Sequence, residues 1–264
     1  MTNTHTLSFW KNEFDKYPPA LRNEAITPIL NKTGIFLTSS ILRNIVGQTD
    51  TSFNIEKIMN EGKVLIVNLA KGEIGEDAAS ILGSMIVTQI QLAALNRSKI
   101  AEVQRKPFYL FVDEMHSFIS LSFADILSEA RKYKLALFMA HQYIEQLHEK
   151  IRFAIFGNVG TIISFRIGAE DAEHLAKEFK PIFNEEDFVT LPKYSMYIKL
   201  MIDGTTSQPF SAITISPKAP MASNKEEVIK NSRQMNARRK DIIEKEIFEK
   251  KPSPEAPKSS PSLF

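Results

Sequence analysis

Asp113 and Glu114 stand directly after Phe108-Tyr109-Leu110-Phe111-Val112, an unbroken apolar run. Such a run closed by two acids predicts a fully buried strand whose carboxyl end opens into a crevice, the place where open α/β sheets bind ligands. Adjacent carboxylates there suit phosphoryl chemistry. One can hold Mg²⁺ through its water shell while the other orients or deprotonates an attacking water. Asp113 fits the first role and Glu114 the second. The plainer alternative is a strand that ends in solvated acids.

A second apolar run, Leu135-Ala136-Leu137-Phe138-Met139-Ala140, ends in His141-Gln142. Between the two runs, Ser122 to Tyr133 places Phe123, Leu127 and Ala130 on one helical side and Asp125, Glu129, Arg131 and Lys132 on the other. A strand-helix-strand crossover makes its strands parallel, so Gln142 is expected at the same edge as Asp113 and Glu114. A neutral amide there can position water without adding charge. In a third unit, Ile151 to Phe156 reads as a short helix closed by Gly157-Asn158. The β-rich stretch from Val159 to Phe165 then delivers Arg166. The next helix starts with Glu170 and Asp171 and carries Ala172, Leu175, Ala176 and Phe179 at i, i+3, i+4, i+7. Arg166 is either an arginine finger that reaches a phosphate or a partner of Glu170 or Asp171.

Phe108 to Glu114, Arg131, the run ending at Gln142, and Gly157-Asn158-Val159-Gly160 through Asp171-Ala172 together resemble a known family. It is the C-terminal half of the ATPase domain of conjugative coupling proteins, the TraG/TraD-type DNA pumps of type IV secretion in the HerA/FtsK superfamily. The resemblance covers roughly residues 7–216 and rests on the order of three strand-end motifs. It implies a RecA-like P-loop NTPase core with a mostly parallel sheet and flanking helices. It also implies Asp113 as the Walker B metal residue, Glu114 as the catalytic glutamate, Gln142 as the sensor and an arginine finger at Arg166. ATP and Mg²⁺ are the implied cofactors. The implied partners are copies of the chain in a hexamer, DNA and relaxosome proteins, at the cytoplasmic face of the inner membrane. Family members usually carry Ser or Thr before the glutamine, where this chain has His141.

One element of that family is missing. A P-loop needs Gly-x-x-x-x-Gly-Lys-Ser/Thr, whose backbone amides cradle phosphates while the lysine and hydroxyl engage the γ-phosphate and metal. No such segment occurs; Gly62-Lys63 comes nearest, and Val64 follows it. The expected fold is therefore a RecA-like α/β core without its P-loop unit. Two functional classes follow: a component of a DNA-transfer ATPase completed by a P-loop-bearing partner chain, or a non-catalytic module that docks on a secretion motor or its nucleoprotein cargo. An acid-dependent nuclease is a weaker third reading, because no third acid recurs at a matching strand end. Lys71, in a glycine-flanked loop, is either a phosphate contact across a subunit interface or a solvated loop lysine.

These residues need elements to place them. The chain of 264 residues, 43% of them apolar, is long enough for a sizeable core. Its net charge of +2 gives no global basic field for nucleic acid. Cysteine is absent, which rules out a disulfide framework and suits a reducing cytosol. The five histidines show no metal-ligand spacing. No apolar run approaches the ~20 residues of a membrane crossing, and membrane contact is expected only through partners.

Residues 1–61 read as a helical cap, interrupted near Asn31-Lys32, whose last helix runs from an Asn54 N-cap to Gly62. Residues 62–217 carry the α/β core. Its first strand is expected at 63–69, followed by an apolar helix from about Glu76 to Leu95 with Ala79, Ile86 and Ala93 available to a neighbouring subunit. Asn184 caps a short acidic helix. Strands at 196–202 and 208–215 flank Asp203-Gly204 as a hairpin with a loop longer than two residues, extending the sheet at its edge. Residues 218–264 form a tail with 11 Lys/Arg against 7 Asp/Glu, marginally helical and then Pro/Ser-rich.

Overall fold

The computed structural model describes residues 4–121, 123–218 and 223–249. Ser122 and the Pro/Ser-rich end, for which disorder is expected, lie outside them. The chain forms two compact units, one from residues 1–52 with 229–264 and the other from 53–228.

In the first unit the helix Pro19–Thr38 runs unbroken through Asn31-Lys32, and also through Pro28. Ser39 then caps Ser40–Val46, its hydroxyl accepting the Leu42 amide. The tail's last helix, Lys240–Glu249, packs against Ser40–Val46. Asn44 donates to Glu244 at 3.1 Å, and the Arg43 guanidinium lies 5.2 Å from the centre of the Phe248 ring. A stripe too sparse to hold a helix alone thus finds its partner within the chain.

The second unit is α/β. Helix Ile55–Glu61 begins at Asn54, whose side chain accepts the Lys57 amide at 2.8 Å, and ends at left-handed Gly62 with φ 73°. Strands β1 (Phe108–Val112) and β2 (Leu135–Met139) pair in parallel, Phe108 opposite Leu135 and Val112 opposite Met139. Phe108, Leu110, Leu135, Leu137 and Met139 pack into one core cluster with Val87 and Ile90 of helix Glu76–Asn96 and Phe123 and Ile126 of helix Phe123–Glu129. Ala79 and Ala93 are buried and Ile86 joins that cluster, so these residues face the chain's own core and not a free interface. The stretch Glu76–Lys99 has a mean hydropathy of 1.6 and is, among the described residues, the one helix long and apolar enough to cross a membrane. Ser84, Thr88 and Gln91 interrupt its apolar pattern, so it is not an unbroken apolar run in the sequence.

Among the described residues, parallel pairing is confined to β1 and β2, a narrower parallel sheet than expected. β3 (Ile162–Ser164) pairs antiparallel with β4 (Ser195–Lys199), which pairs antiparallel with β7 (Phe210–Ile213) in a separate three-stranded sheet. The C-terminal strands therefore extend β3 and not the β1/β2 pair. Between them β5 (Met201–Ile202) and β6 (Thr205–Thr206) close on a two-residue turn, with Asp203 at φ 49° and Gly204 at φ 80°. Positive φ at both positions is the signature of a tight hairpin turn, so the loop is shorter than the sequence pattern indicates. Residues 63–69 form no ladder; the chain passes there without strand pairing.

Arg97 locks the core edge. Fully buried, it donates from Nε to Asn60 Oδ1 (3.1 Å), from Nη1 to the carbonyls of Lys106 (2.9 Å) and Tyr133 (3.0 Å), and from Nη2 to that of Met59 (2.8 Å). One guanidinium thereby ties helix Ile55–Glu61 to the chain entering β1 and the turn entering β2.

Candidate functional site

The site lies where β1 and β2 end. Past Val112 the backbone is stitched to β2: the Ala140 amide donates to the Val112 carbonyl (2.9 Å), and the Met115 amide donates to the Ala140 carbonyl (3.0 Å). The two residues between these bonds, Asp113 and Glu114, are squeezed into a tight exit. Glu114 takes the left-handed conformation at φ 49°, uncommon for a residue with a side chain. Asp113 is exposed, and its Oδ1 accepts the Glu114 amide at 3.0 Å.

That exit turns Glu114 toward the end of β2. Gln142 Nε2 donates to Glu114 Oε1 at 2.8 Å, while Nδ1 of His116 lies 3.5 Å from Oε2. His116 belongs to the 3-10 turn Met115–Ser117, which helix Glu76–Asn96 holds from beneath. Ser80 Oγ donates to the Ser117 carbonyl (2.8 Å), and Gly83 leaves room for Phe118, whose Cδ1 lies only 2.2 Å from where a Cβ would stand.

On the β2 side, burial pushes the His141 imidazole below its ordinary value of 6.5. The backbone at Tyr143 and the charges of Asp171 and Glu114 pull it back without outweighing that effect. Asp171, itself buried, accepts the Ile144 amide at 3.0 Å and so anchors the segment that carries Gln142 to the helix Ala169–Phe179.

The structure thus brings together Asp113, Glu114 and Gln142. Arg166 is exposed beyond β3, and among the described residues it pairs with neither Glu170 nor Asp171, whose carboxylate is committed to Ile144. Lys71 pairs with Glu76 at 3.0 Å. The sequence singles out Asp171 only within the family resemblance and as a possible partner of Arg166, and His116 only as one of five scattered histidines. Its two-residue spacing from Glu114 is the only available signal. No group of three or more histidine or acid side chains that could hold a metal occurs among the described residues. Asp113 by contrast suits Mg²⁺, which retains several waters and needs only one or two carboxylates.

A family model described as the TraM recognition site of TraD and TraG matches residues 107–179, from the start of β1 through the helix after β3. Three solved structures of the bacterial plasmid coupling protein TrwB share the fold. These are the complex with the GTP analogue GDPNP (15% identity, TM-score 0.56, covering 84% of this chain and 58% of that one), the complex with ADPNP (16%, 0.55, 84% and 57%) and the unbound monoclinic form (15%, 0.55, 81% and 55%). The chain spans little more than half of those coupling-protein chains. A sequence comparison with characterised proteins finds no significant match.

Proposed function

We propose, from the premise that residues 107–179 are a TraG/TraD-type C-terminal region on a RecA-like α/β fold, that this chain is a component of a conjugative DNA-transfer ATPase. It contributes the metal and water residues, and a second polypeptide supplies the P-loop. The observation that carries this reading is the 2.8 Å hydrogen bond from Gln142 to Glu114 at the shared carboxyl end of β1 and β2, beside Asp113. Two strand ends separated by a helix converge on a base and an amide.

The residues present fit half of such a centre. Asp113 would hold Mg²⁺ through water, Glu114 would accept the proton of an attacking water, and Gln142 keeps the Glu114 carboxylate in one orientation. They do not fit the phosphate half. The chain has no Gly-x-x-x-x-Gly-Lys-Ser/Thr segment, and Lys71 is paired with Glu76. In this reading phosphate binding falls to the partner, and Arg166, exposed and without an ion pair among the described residues, is available as the arginine finger. DNA, relaxosome proteins and a hexameric assembly are the partners this reading requires.

The test is hydrolysis by a complex of this chain with a P-loop-bearing polypeptide. Glu114→Gln keeps size and hydrogen bonding but removes the base, and should slow turnover ~100-fold or more while Mg-ATP still binds. Asp113→Ala should weaken metal-dependent binding itself, and Gln142→Ala should slow turnover with binding intact. Equal hydrolysis by all three variants would sink the reading. A second reading, a non-catalytic module that docks on a secretion motor or its nucleoprotein cargo, is favoured by the missing phosphate cradle, and that outcome would establish it.

A further inference from the structure

The ends of β1 and β2 opposite the candidate site carry the reverse charge. Three segments, 57–63, 97–106 and 131–134, meet where the two strands begin, because Arg97 reaches Met59, Lys106 and Tyr133 at once. Arg105 adds bonds from Nη1 to the Lys132 carbonyl (2.6 Å) and from Nε to the Ile100 carbonyl (2.9 Å), and Lys106 Nζ donates to the Glu61 carbonyl (3.0 Å). Together the segments hold nine lysines and arginines against two acids, whereas the whole chain carries a net charge of only +2. That imbalance concentrates a positive field at one edge, which attracts polyanions.

Little within the chain cancels it. Arg97 and Arg105 donate to carbonyls and to the Asn60 amide oxygen, which satisfy hydrogen bonds without neutralising charge. Burial, and after it the charge of Arg105, lowers the pKa of Arg97. Glu61 pairs with Lys57 and Lys63. The flanking acids are engaged elsewhere, Glu129 by the Tyr133 hydroxyl (3.2 Å) and Glu56 by the Asn96 side-chain amide (3.3 Å). Among the described residues, Lys99, Lys106, Lys132 and Lys134 form no ion pair. Lys134 also sits in the left-handed conformation at φ 52°, its carbonyl accepting the Phe108 amide at 2.9 Å. A lysine is thus held where glycine would stand without strain.

We infer that this basic edge, at the start of β1 and β2, binds the phosphate backbone of a nucleic-acid strand without regard to base sequence. The choice of nucleic acid among polyanions rests on the DNA-transfer reading above. The composition of the edge agrees with that choice. The one aromatic side chain of the three segments, Tyr133, is buried, and they contain no leucine. An edge without exposed rings offers no platform for bases, so its contacts are to phosphates, and without an apolar row it has nothing to seat in a lipid surface. The edge is also kept apart from the acids. The five residues of β1 span about 17 Å, which places Asp113 and Glu114, where a polyanion is repelled, at the far end of the strand.

The experiment uses the full 264-residue chain without nucleotide. Fluorescence anisotropy follows its binding to labelled mixed-sequence DNA of about 30 nucleotides, single- and double-stranded, between about 50 and 200 mM KCl. Both should bind, and log Kd should rise with log salt at a slope of about 3, as when four phosphates are neutralised. The triple variant Lys106→Glu, Lys132→Glu, Lys134→Glu should weaken binding ~30-fold or more and remove most of that slope. The same three positions changed to Gln give a milder charge loss and should fall between, with far-UV circular dichroism checking the fold of both variants. Reversing Lys225, Lys230 and Arg233 in the basic tail should change affinity less than ~3-fold. The assignment is overturned if the wild type does not bind the oligonucleotides at the lowest salt, if a folded Gln variant binds as the wild type does, or if the tail variant is the one that loses binding. Co-sedimentation with phosphatidylserine-rich vesicles that needs Lys106, Lys132 and Lys134, without oligonucleotide binding, would overturn it in favour of a membrane surface. The readout involves no hydrolysis. Equal turnover by the Asp113, Glu114 and Gln142 variants would sink the ATPase reading and leave this surface standing, whereas unchanged DNA affinity in the lysine variants would sink the surface alone.

Discussion

The buried carboxylate of Asp171 accepts the backbone amide of Ile144 at 3.0 Å, joining the segment after β2 to the helix after β3. Two residues before Ile144 stands Gln142, whose amide reaches Glu114. Asp171→Ala leaves a buried N–H without an acceptor and should cost about 1–3 kcal/mol. Asp171→Asn retains an acceptor oxygen and should cost less. Urea unfolding of both variants measures the difference, and equal losses would show that the hydrogen bond is not what matters.

Gly83 and Phe118 form a matched pair beneath the Glu114 exit. A Cβ at position 83 would stand 2.2 Å from Phe118 Cδ1, too close for any contact, so Gly83→Ala should destabilise by about 1–3 kcal/mol through overpacking. Shortening the facing side chain should recover part of this. The Gly83→Ala/Phe118→Leu double variant should be more stable than the sum of the single effects by at least ~0.5 kcal/mol. Strict additivity in denaturant titrations would refute the pairing.

Arg97 gives four hydrogen bonds in full burial, three of them to backbone carbonyls. Arg97→Met strips all of these acceptors of their donor and should lower stability by about 3 kcal/mol or more. Arg97→Lys keeps the charge but not the planar fork, and should recover only a minority of the loss. The midpoint of urea unfolding reports both. A loss below ~1 kcal/mol for Arg97→Met would mean that water replaces the guanidinium.

Stability should depend on pH through His141. Burial holds its folded-state pKa below 6.5, so between the folded and unfolded values the unfolded chain binds more protons. Stability is then fully present above the unfolded value and falls as the pH drops through the folded one. His141→Asn should flatten this slope in unfolding curves taken between about pH 7 and pH 5. An unchanged slope would place the dependence on other groups.

Without fixed amides around the β- and γ-phosphates, the isolated chain has too few donors to offset the desolvation of ATP. It should bind Mg-ATP no more tightly than millimolar. Micromolar affinity by calorimetry would reveal a cradle of another kind.

Local chemistry was legible in the sequence where a few neighbouring residues decide the outcome. Asn54 and Gly62 bound their helix as the cap residues indicate, and Asn184 forms a capping box with Asp187. The parallel β1/β2 unit and the meeting of Gln142 with Glu114 follow from two apolar runs and a helix of crossover length. What depends on distant partners was not legible. Residues 63–69 have a strand's composition but no ladder, because pairing requires a neighbour that composition does not reveal. Ile162 to Ser164 match any sheet edge, and only the structure shows β4 beside them. The run Arg97-Ser98-Lys99 looks like a solvated turn, yet Arg97 finds four acceptors on three separate segments.

The left-handed backbone of Glu114 sets stability against function at a single position. Holding a residue with a side chain at φ 49° costs on the order of 1 kcal/mol, and glycine would adopt the same conformation freely. Selection for a thermally hardier chain should therefore favour Glu114→Gly, because it relieves the backbone. The same substitution deletes the carboxylate that Gln142 holds. A library sorted only for folding would enrich glycine here, and one sorted for the hydrolysis proposed above would retain the acid.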